Sequence, residues 1–302
     1  MKKKIFNYIL LVVALSTLIF MGTEYYNNFK NKGLYGETLK TINAQDIFPH
    51  AQSIDLKIAV IDTGINTTNK FLKDAKINQE YLESNQGLSQ QMHGTMVGGI
   101  LVSTGNGHTT PGGLIPNTSI LSIQAGTDMG MTSEQLAKAI NTAVSKNVDI
   151  INISLATPKN TIELENAIKS AIDKNIIVVA AAENNDPSLD YYPISYEGVI
   201  GVGAVDNNRR VVDTPNIDNI DIFASGSDLL TTESSDNGLT YFTGSSATAP
   251  LVTAFISVLK SKKTDLDSKE ILELMKRNGS QIEINNKSGI ILNAEKTLRA
   301  VD

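Results

Sequence analysis

The sequence Thr243-Gly244-Ser245-Ser246-Ala247-Thr248-Ala249-Pro250 is followed by an apolar run over residues 251–259. Its glycine and serines are typical of a turn, and the apolar side chains after Pro250 recur with the period of a helix. We predict a helix over residues 248–262, with Pro250 in its first turn, where a missing N–H group costs nothing. Ser246 then lies at the positive end of a buried helix. N-capping is the alternative role for the hydroxyl groups of Ser245 and Ser246.

Length and composition exclude several classes of protein. The chain has 302 residues, a formal charge of −6 and no cysteine. It is long enough for one large domain or two small ones. Lys and Arg form no dense tract beyond the N-terminus, which argues against a nucleic acid as partner. Without cysteine, the chain has no disulfides, no thiolate catalysis and no Cys-ligated zinc.

The N-terminus predicts export. Lys2, Lys3 and Lys4 precede an apolar run over residues 5–21, which is typical of a signal peptide or a membrane anchor and would leave the lysines in the cytoplasm. A small-x-small cleavage site is hard to find, so we favour an anchor; a buried core helix is the alternative. We predict a signal peptide or signal anchor over 1–22, a linker or lead-in over 23–50, and one domain over 51–302. The domain is expected outside the cell membrane, or secreted if the segment is cleaved.

From residue 56 onward, short apolar strands alternate with amphipathic helices. Continuous apolar runs are typical of parallel strands that are buried on both faces. The pattern predicts an α/β fold, a three-layer, doubly wound, mostly parallel sheet, with functional groups beyond the carboxyl ends of the strands. Predicted strands cover 57–61, 119–123, 149–153, 176–181, 199–202 and 220–223. Predicted helices cover 93–102, 133–146, 162–174, 248–262 and 268–278, with Ser133 and Ser268 as N-caps.

Three polar residues stand where this rule places functional groups. Asp62 directly follows the first strand, His93 begins a helix rich in small residues, and Asn184 follows the strand over 176–181. Taken singly, each could serve a turn or a structural contact. Together with Ser246 they supply what acyl transfer needs: a nucleophile, a base, a carboxylate that orients the base, and a donor for an oxyanion.

The blocks Asp62-Thr63-Gly64, His93-Gly94-Thr95 and Gly-x-Ser-x-x-x-Pro over 244–250, in this chain order, resemble those of the subtilisin family of serine peptidases. The resemblance covers roughly residues 50–300, about the size of one domain. It implies a serine endopeptidase that acts through an acyl-enzyme. Ser246 would be the nucleophile, His93 the base and Asp62 its orienting carboxylate. Asn184 and the Ser246 N–H group would form the oxyanion hole.

The same resemblance implies partners and substrate contacts. The expected partner is a peptide or protein substrate, and the expected state is a monomer that contacts the membrane through residues 5–21. No cofactor is required and no residue is assigned as a metal ligand. Calcium stabilises many family members, and residues 105–107 and Asp186 could offer oxygen atoms, but no clear metal motif is present. The residues implied in substrate binding are Ser154, Leu155, Ala156, Ala182 and Glu183.

Departures from the family pattern keep alternatives open. Glu183 stands where the family has a glycine before the oxyanion asparagine, and Thr248 stands where alanine is usual. A weak or inactive subtilisin-like scaffold with a regulatory or binding role is therefore the second hypothesis. Glu183 and Asp190 also suggest an acidic pocket that favours Lys or Arg before the scissile bond. The alternative is that both carboxylates point to solvent.

Overall fold

The computed structural model describes residues 35–48, 54–82, 92–107, 109–127, 130–183, 188–212 and 216–302. Within these ranges the strands are β1 (Lys57–Asp62), β2 (Ile77–Tyr81), β3 (Ser119–Gln124), β4 (Ile150–Ile153), β5 (Ile177–Ala181), β6 (Val199–Val205), β7 (Ile222–Ser225), β8 (Leu229–Thr232), β9 (Leu239–Phe242), β10 (Ser280–Ile284) and β11 (Lys287–Ile291). Nine of them form one sheet in the order β10-β11-β7-β6-β5-β4-β1-β3-β2. Its pairs are parallel except β10–β11, and β8 and β9 form a separate antiparallel pair.

Helices cover both faces of this sheet. They are α1 (Gly36–Thr41), α2 (Met92–Val102), α3 (Ser133–Ser145), α4 (Ile162–Asp173), α5 (Ser245–Lys262), α6 (Ser268–Asn278) and α7 (Ala294–Arg299), with a 3-10 turn at Ile217–Asn219. Val60 belongs to a hydrophobic cluster with residues of α2 and α5, whereas the next residue, Ile61, belongs to a second cluster with residues of α3 and α4. Successive strand residues point to opposite faces, so each cluster marks one face. The predicted α/β fold with a large, mostly parallel sheet is confirmed.

Two predicted helix caps are wrong by one residue. The side chain of Thr132, not that of Ser133, accepts the backbone N–H of Gln135, and Asp267, not Ser268, accepts that of Glu270. Thr132 and Asp267 have the extended backbone that an N-cap requires, while the two serines are already helical. Both observed caps form reciprocal capping boxes with their Gln or Glu partner.

The described part of the predicted lead-in packs into the domain. Ile42 and Ala44 are fully buried in the cluster that also contains residues of α2 and α5. The hydroxyl group of Tyr35 donates to the carbonyl oxygen of Leu230 at 2.9 Å, and Ala294 N donates to the carbonyl oxygen of Ile42 at 2.8 Å. Residues 35–48 therefore contribute to the core.

The predicted hydrophobic segment over residues 5–21 lies outside the described residues. In the part of the chain that the structure describes, no helix combines the length and the apolar character needed to cross a bilayer.

Candidate active site

Asp62 and His93 form a direct hydrogen-bonded pair at the carboxyl edge of the sheet. Asp62 ends β1 and is fully buried, and its Oδ1 atom lies 2.8 Å from Nδ1 of His93, the second residue of α2. An ionised carboxylate only accepts hydrogen bonds, so Nδ1 is the donor. The lone pair of the neutral imidazole is then on Nε2. The ring is thereby oriented to accept a proton through Nε2.

Two hydrogen bonds from backbone N–H groups to side-chain oxygen atoms fix the turn that carries this pair. Thr63 N donates to Oδ1 of Asp62 at 2.7 Å, and Gly94 N donates to Oγ1 of Thr63 at 2.9 Å. Gly94 permits a close approach, because a Cβ atom there would lie only 2.2 Å from the carbonyl oxygen of Gly64. The Asp-Thr-Gly and His-Gly-Thr motifs therefore form one contact between the end of β1 and the start of α2.

An aromatic residue that the sequence analysis did not select also contacts the imidazole. The ring of Phe242, which ends β9, meets the ring of His93 edge to face, with centroids 5.3 Å apart and planes at 88°. Phe242 is buried, while the His93 side chain remains 19% exposed. This contact holds the imidazole between a carboxylate and an aromatic ring. Its only sequence signal is its position four residues before Ser246.

Helix α5 begins at Ser245, three residues before the predicted start at 248. Its N-cap is Gly244, whose φ of 111° is one that residues with a side chain rarely adopt, and no side chain caps the helix. The N-capping alternative for Ser245 and Ser246 is therefore wrong. Pro250 lies beyond the first turn, contrary to prediction, so the carbonyl of Ser246 has no amide donor at the usual i+4 position.

The hydroxyl groups of the two serines bind the ends of neighbouring strands instead. Ser245 Oγ donates to the carbonyl oxygen of Ala182, just after β5, at 2.5 Å. Ser246 Oγ donates to the carbonyl oxygen of Ser154, just after β4, at 3.0 Å. These bonds anchor the start of α5 across the carboxyl ends of β4 and β5.

Sheet register brings Ser246 to the edge that carries Asp62. β4 pairs with β1 so that Ile153 is level with Ile61. The next residue along each chain, Ser154 after β4 and Asp62 at the end of β1, therefore lies at the carboxyl end of its strand. Among the described residues, the hydrogen-bond partner of the Ser246 hydroxyl is Ser154 and not His93. Nucleophilic attack would thus require the hydroxyl group to turn from Ser154 towards the imidazole.

The residues implied in substrate binding follow the same two strands. Ser154 and Ala182 are buried, whereas Leu155, Ala156 and Glu183 are half-buried and border the edge. Of these five residues, Ser154 and Ala182 accept the hydroxyl groups of the two serines of α5. Their role in substrate binding stays a prediction.

Asn152 is a positioning residue that the sequence analysis did not select. It is fully buried, its Nδ2 atom donates to Oγ of Ser154 at 3.1 Å, and its Oδ1 atom accepts from Oγ1 of Thr253 on α5 at 2.9 Å. It therefore links the end of β4 to the helix of Ser246. Its sequence signal is a single amide in the apolar strand β4.

Three predicted residues lie away from these contacts or outside the described residues. Asn184 and Asp186 lie outside the described residues. Asp190 is exposed, and its carboxylate accepts from Nδ2 of Asn219 at 3.2 Å. Within the described ranges, no three His, Cys, Asp or Glu side chains are grouped as a metal site would require.

The chain is similar to known proteins over most of its length. The model of the subtilase family (Peptidase_S8) matches residues 53–291. The thermophilic serine proteinase of Bacillus sp. (strain AK1) is 35% identical over 223 residues, which cover 72% of this chain and 55% of that protein. This chain thus spans little more than half the length of that relative. The major intracellular serine protease of Bacillus subtilis (strain 168) is 30% identical over 253 residues, 78% of each chain.

Solved structures agree on the fold. Fervidolysin from Fervidobacterium pennivorans, a keratinolytic enzyme related to subtilisin, superposes with a TM-score of 0.74 at 21% identity. The match covers 87% of this chain and 45% of fervidolysin, and at this identity it supports the fold alone. With the family match over residues 53–291 and the two serine proteases that resemble it, this chain belongs to the subtilase family of serine peptidases.

Proposed function

We propose that this chain is an endopeptidase that hydrolyses peptide bonds through an acyl-enzyme formed on Ser246. The observation that carries the proposal is the 2.8 Å hydrogen bond between Asp62 and His93 at the sheet edge that also holds Ser246. A serine hydroxyl is a weak nucleophile until a base takes its proton, and an imidazole oriented by a carboxylate is such a base.

Each residue then has a defined role in the reaction. Ser246 Oγ attacks the peptide carbonyl carbon while its proton passes to Nε2 of His93. His93 gives that proton to the leaving amine, the C–N bond breaks, and the acyl group remains on Ser246. A water molecule repeats the sequence to release the acid and restore the hydroxyl group. Asp62 stays ionised throughout and stabilises the imidazolium ion.

The start of α5 would supply part of the oxyanion hole. The N–H groups of a first helical turn have no partner within the helix and lie at the positive end of its dipole. The N–H group of Ser246 belongs to this turn, so it is suited to a negative oxygen on the attacked carbon. By resemblance to the family, the side-chain amide of Asn184 would be the second donor.

A catalytically weak scaffold is the second candidate, and one contact favours it. The Ser246 hydroxyl is engaged with the carbonyl oxygen of Ser154, and a hydroxyl held there in solution would not meet the base. The other departure in this helix, Thr248, is accommodated: its Oγ1 atom donates to the carbonyl oxygen of Gly244 at 3.2 Å. Gly226 leaves room for it, since a Cβ at Gly226 would lie 2.1 Å from Thr248 Oγ1.

Neighbouring serines provide a matched pair of variants to test the proposal. Digestion of a denatured protein is compared for the wild type, Ser246→Ala and Ser245→Ala. We expect Ser246→Ala to lower kcat by about 10⁶-fold, the loss known for the nucleophile of a serine-protease triad. Ser245→Ala removes the bond to Ala182 but leaves the nucleophile in place, so it keeps measurable turnover. Wild-type rates in Ser246→Ala would refute the proposal.

We also propose that the enzyme acts outside the cytoplasmic membrane as a monomer. The support is the three lysines at positions 2–4 followed by the apolar run over 5–21. Cell fractionation with external protease treatment tests the location. The expected result is a membrane-associated or released chain whose catalytic domain is accessible from outside, and a domain protected in intact cells would contradict it. Light scattering on the purified protein tests whether it is a monomer, and a dimer or larger assembly would contradict this part of the proposal.

A further inference from the structure

A recess adjoins the carbonyl group that anchors α5. Ala182, which accepts the hydroxyl of Ser245 at 2.5 Å, forms one wall, and Glu183 continues that wall. The remaining described lining residues are Leu189, Tyr191, Ile194, Asn216 and Asn219. An acyl group on Ser246 would lie beside this wall, because Ser246 directly follows the anchored Ser245. The residue before the scissile bond carries this acyl group, so its side chain would lie near the recess.

Protein side chains almost fill this recess. Its free volume is about 10 Å³, at the lower limit of the about 10–15 Å³ that a single water molecule needs. Tyr191 and Ile194 line the recess and are only 9% and 6% exposed, so both are buried residues. Ser195 Oγ donates to the carbonyl oxygen of Tyr191 at 2.8 Å, and Asn219 Nδ2 donates to Ser195 Oγ at 2.9 Å. These bonds fix the backbone that carries Tyr191.

We propose that Tyr191 restricts cleavage to sites that have a small residue, Gly, Ala or Ser, before the scissile bond. This proposal rests on the proposed endopeptidase function and names its substrate class. A Phe, Leu or Arg side chain would have to displace a buried tyrosine, whereas a methyl group or a hydroxymethyl group fits against Ala182.

The acidic-pocket hypothesis of the sequence analysis finds less support in the same recess. Glu183 borders it, but Asp190 is not among its lining residues and is exposed, with its carboxylate bound to Asn219. The recess has one carboxylate at its border, and its free volume is too small for a Lys or Arg side chain. Volume, and not charge, therefore sets the preference.

Cut-site mapping separates these two physical causes. The full-length protein in detergent digests a mixture of denatured proteins, and mass spectrometry identifies the residue before each cut. We expect small residues before the cuts of the wild type. Tyr191→Ala should raise cleavage after Phe relative to cleavage after Ala by at least about 10–200-fold, the range that one extra or missing methylene group in a hydrophobic pocket provides. Glu183→Gln should leave the ratio of Arg to Ala cuts unchanged.

A second variant of Tyr191 and a labelling measurement on Ser246 separate a change in preference from a loss of folding or of activity. Tyr191→Leu, which removes less volume, stands in if Tyr191→Ala unfolds, and it should shift the preference in the same direction. Labelling of Ser246 by a fluorophosphonate is measured in parallel. Failure of the proposed function would appear as no label and no cuts. A labelled enzyme that makes no cuts contradicts the endopeptidase function itself. A labelled enzyme that cuts after Phe or Arg in preference to Ala, or whose preference is unchanged in both Tyr191 variants, overturns the size proposal alone.

Discussion

Nδ1 of His93 lies 2.8 Å from Oδ1 of Asp62, although 31 positions of sequence separate the two residues. They meet because β1 ends in a buried carboxylate, and α2 begins directly against the turn that follows this strand. The absence of a side chain at Gly94 allows this approach, and the bond from Gly94 N to Thr63 Oγ1 holds it.

Asp62→Asn tests this pair. An amide can present its NH₂ group to Nδ1 and thereby favour the wrong tautomer of His93, so we expect kcat to fall by about 10⁴-fold. Asp149→Asn is the matched control, because the Asp149 carboxylate accepts Lys57 N at 2.7 Å, at the opposite end of the same strand. Equal, modest losses of kcat in both variants would mean that Asp62 is only structural.

Ile42→Ala tests the packing of the segment before β1. Ile42 is fully buried, so its truncation should lower the free energy of unfolding by about 2–5 kcal/mol. Lys40→Ala, on the exposed face of α1, should change it by less than about 0.5 kcal/mol. Urea denaturation measures both. An Ile42→Ala variant as stable as the wild type would contradict a contribution of Ile42 to the core.

Burial of Tyr35 predicts a loss of stability at alkaline pH. Burial raises the pKa of its phenol above the usual value near 10, so the folded state holds this proton more tightly than the unfolded state. The stabilisation is therefore fully present below about pH 10 and is lost as pH rises towards the folded pKa. Burial, with smaller contributions from Tyr192 and Glu165, raises the pKa of Tyr196 to about 12. The contribution of this phenol to stability is therefore also lost as pH rises.

Tyr35→Phe isolates the first of these groups. The variant lacks the hydrogen bond to Leu230, so it should be about 1 kcal/mol less stable at pH 8. It also lacks the titrating phenol, so the difference in the free energy of unfolding between the variant and the wild type should become smaller at pH 11. Denaturation curves at the two pH values measure this. A difference that stays constant or widens at pH 11 would contradict the assignment to Tyr35.

The hydrogen bonds within the loop over residues 104–112 lead us to expect that chelators leave the stability and the activity of the protein unchanged. Asn106 Oδ1 accepts the N–H groups of Thr109 at 2.8 Å and Thr110 at 3.2 Å, so its amide oxygen is already used within the loop. We propose that no metal is needed here, and that EDTA leaves Tm and peptide hydrolysis unchanged. A fall in Tm with EDTA that calcium reverses, but magnesium does not, would show a calcium site.

The sequence was most informative where a pattern reports burial. The apolar runs that end in Asp62, Ser154 and Ala182 identified three adjacent strands of the sheet, and the carboxyl-end rule then placed the candidate site. The pairing of Asp62 with His93 followed from the resemblance to the subtilisin family, whose order of Asp, His and Ser blocks this chain repeats.

Other features depend on tertiary contacts that local patterns do not report. β2 carries Asn78, Gln79 and Glu80 at the edge of the sheet, so it lacks the apolar run of a central strand. The start of α5 was placed too late because Pro250 suggests a first turn, whereas the bonds of Ser245 and Ser246 to the strand ends extend the helix backwards. Phe242 contacts His93 and Asn152 binds Thr253, and both partners are distant in sequence.

Fluorophosphonate labelling of the folded, full-length protein tests the activation of Ser246 most directly, because the reagent requires a nucleophilic serine. Peptide mapping should find one adduct, on Ser246, in the wild type and in Ser245→Ala, and a much slower reaction in His93→Ala. No adduct on Ser246 in the folded protein, or equal labelling rates with and without His93, would contradict a triad of Asp62, His93 and Ser246.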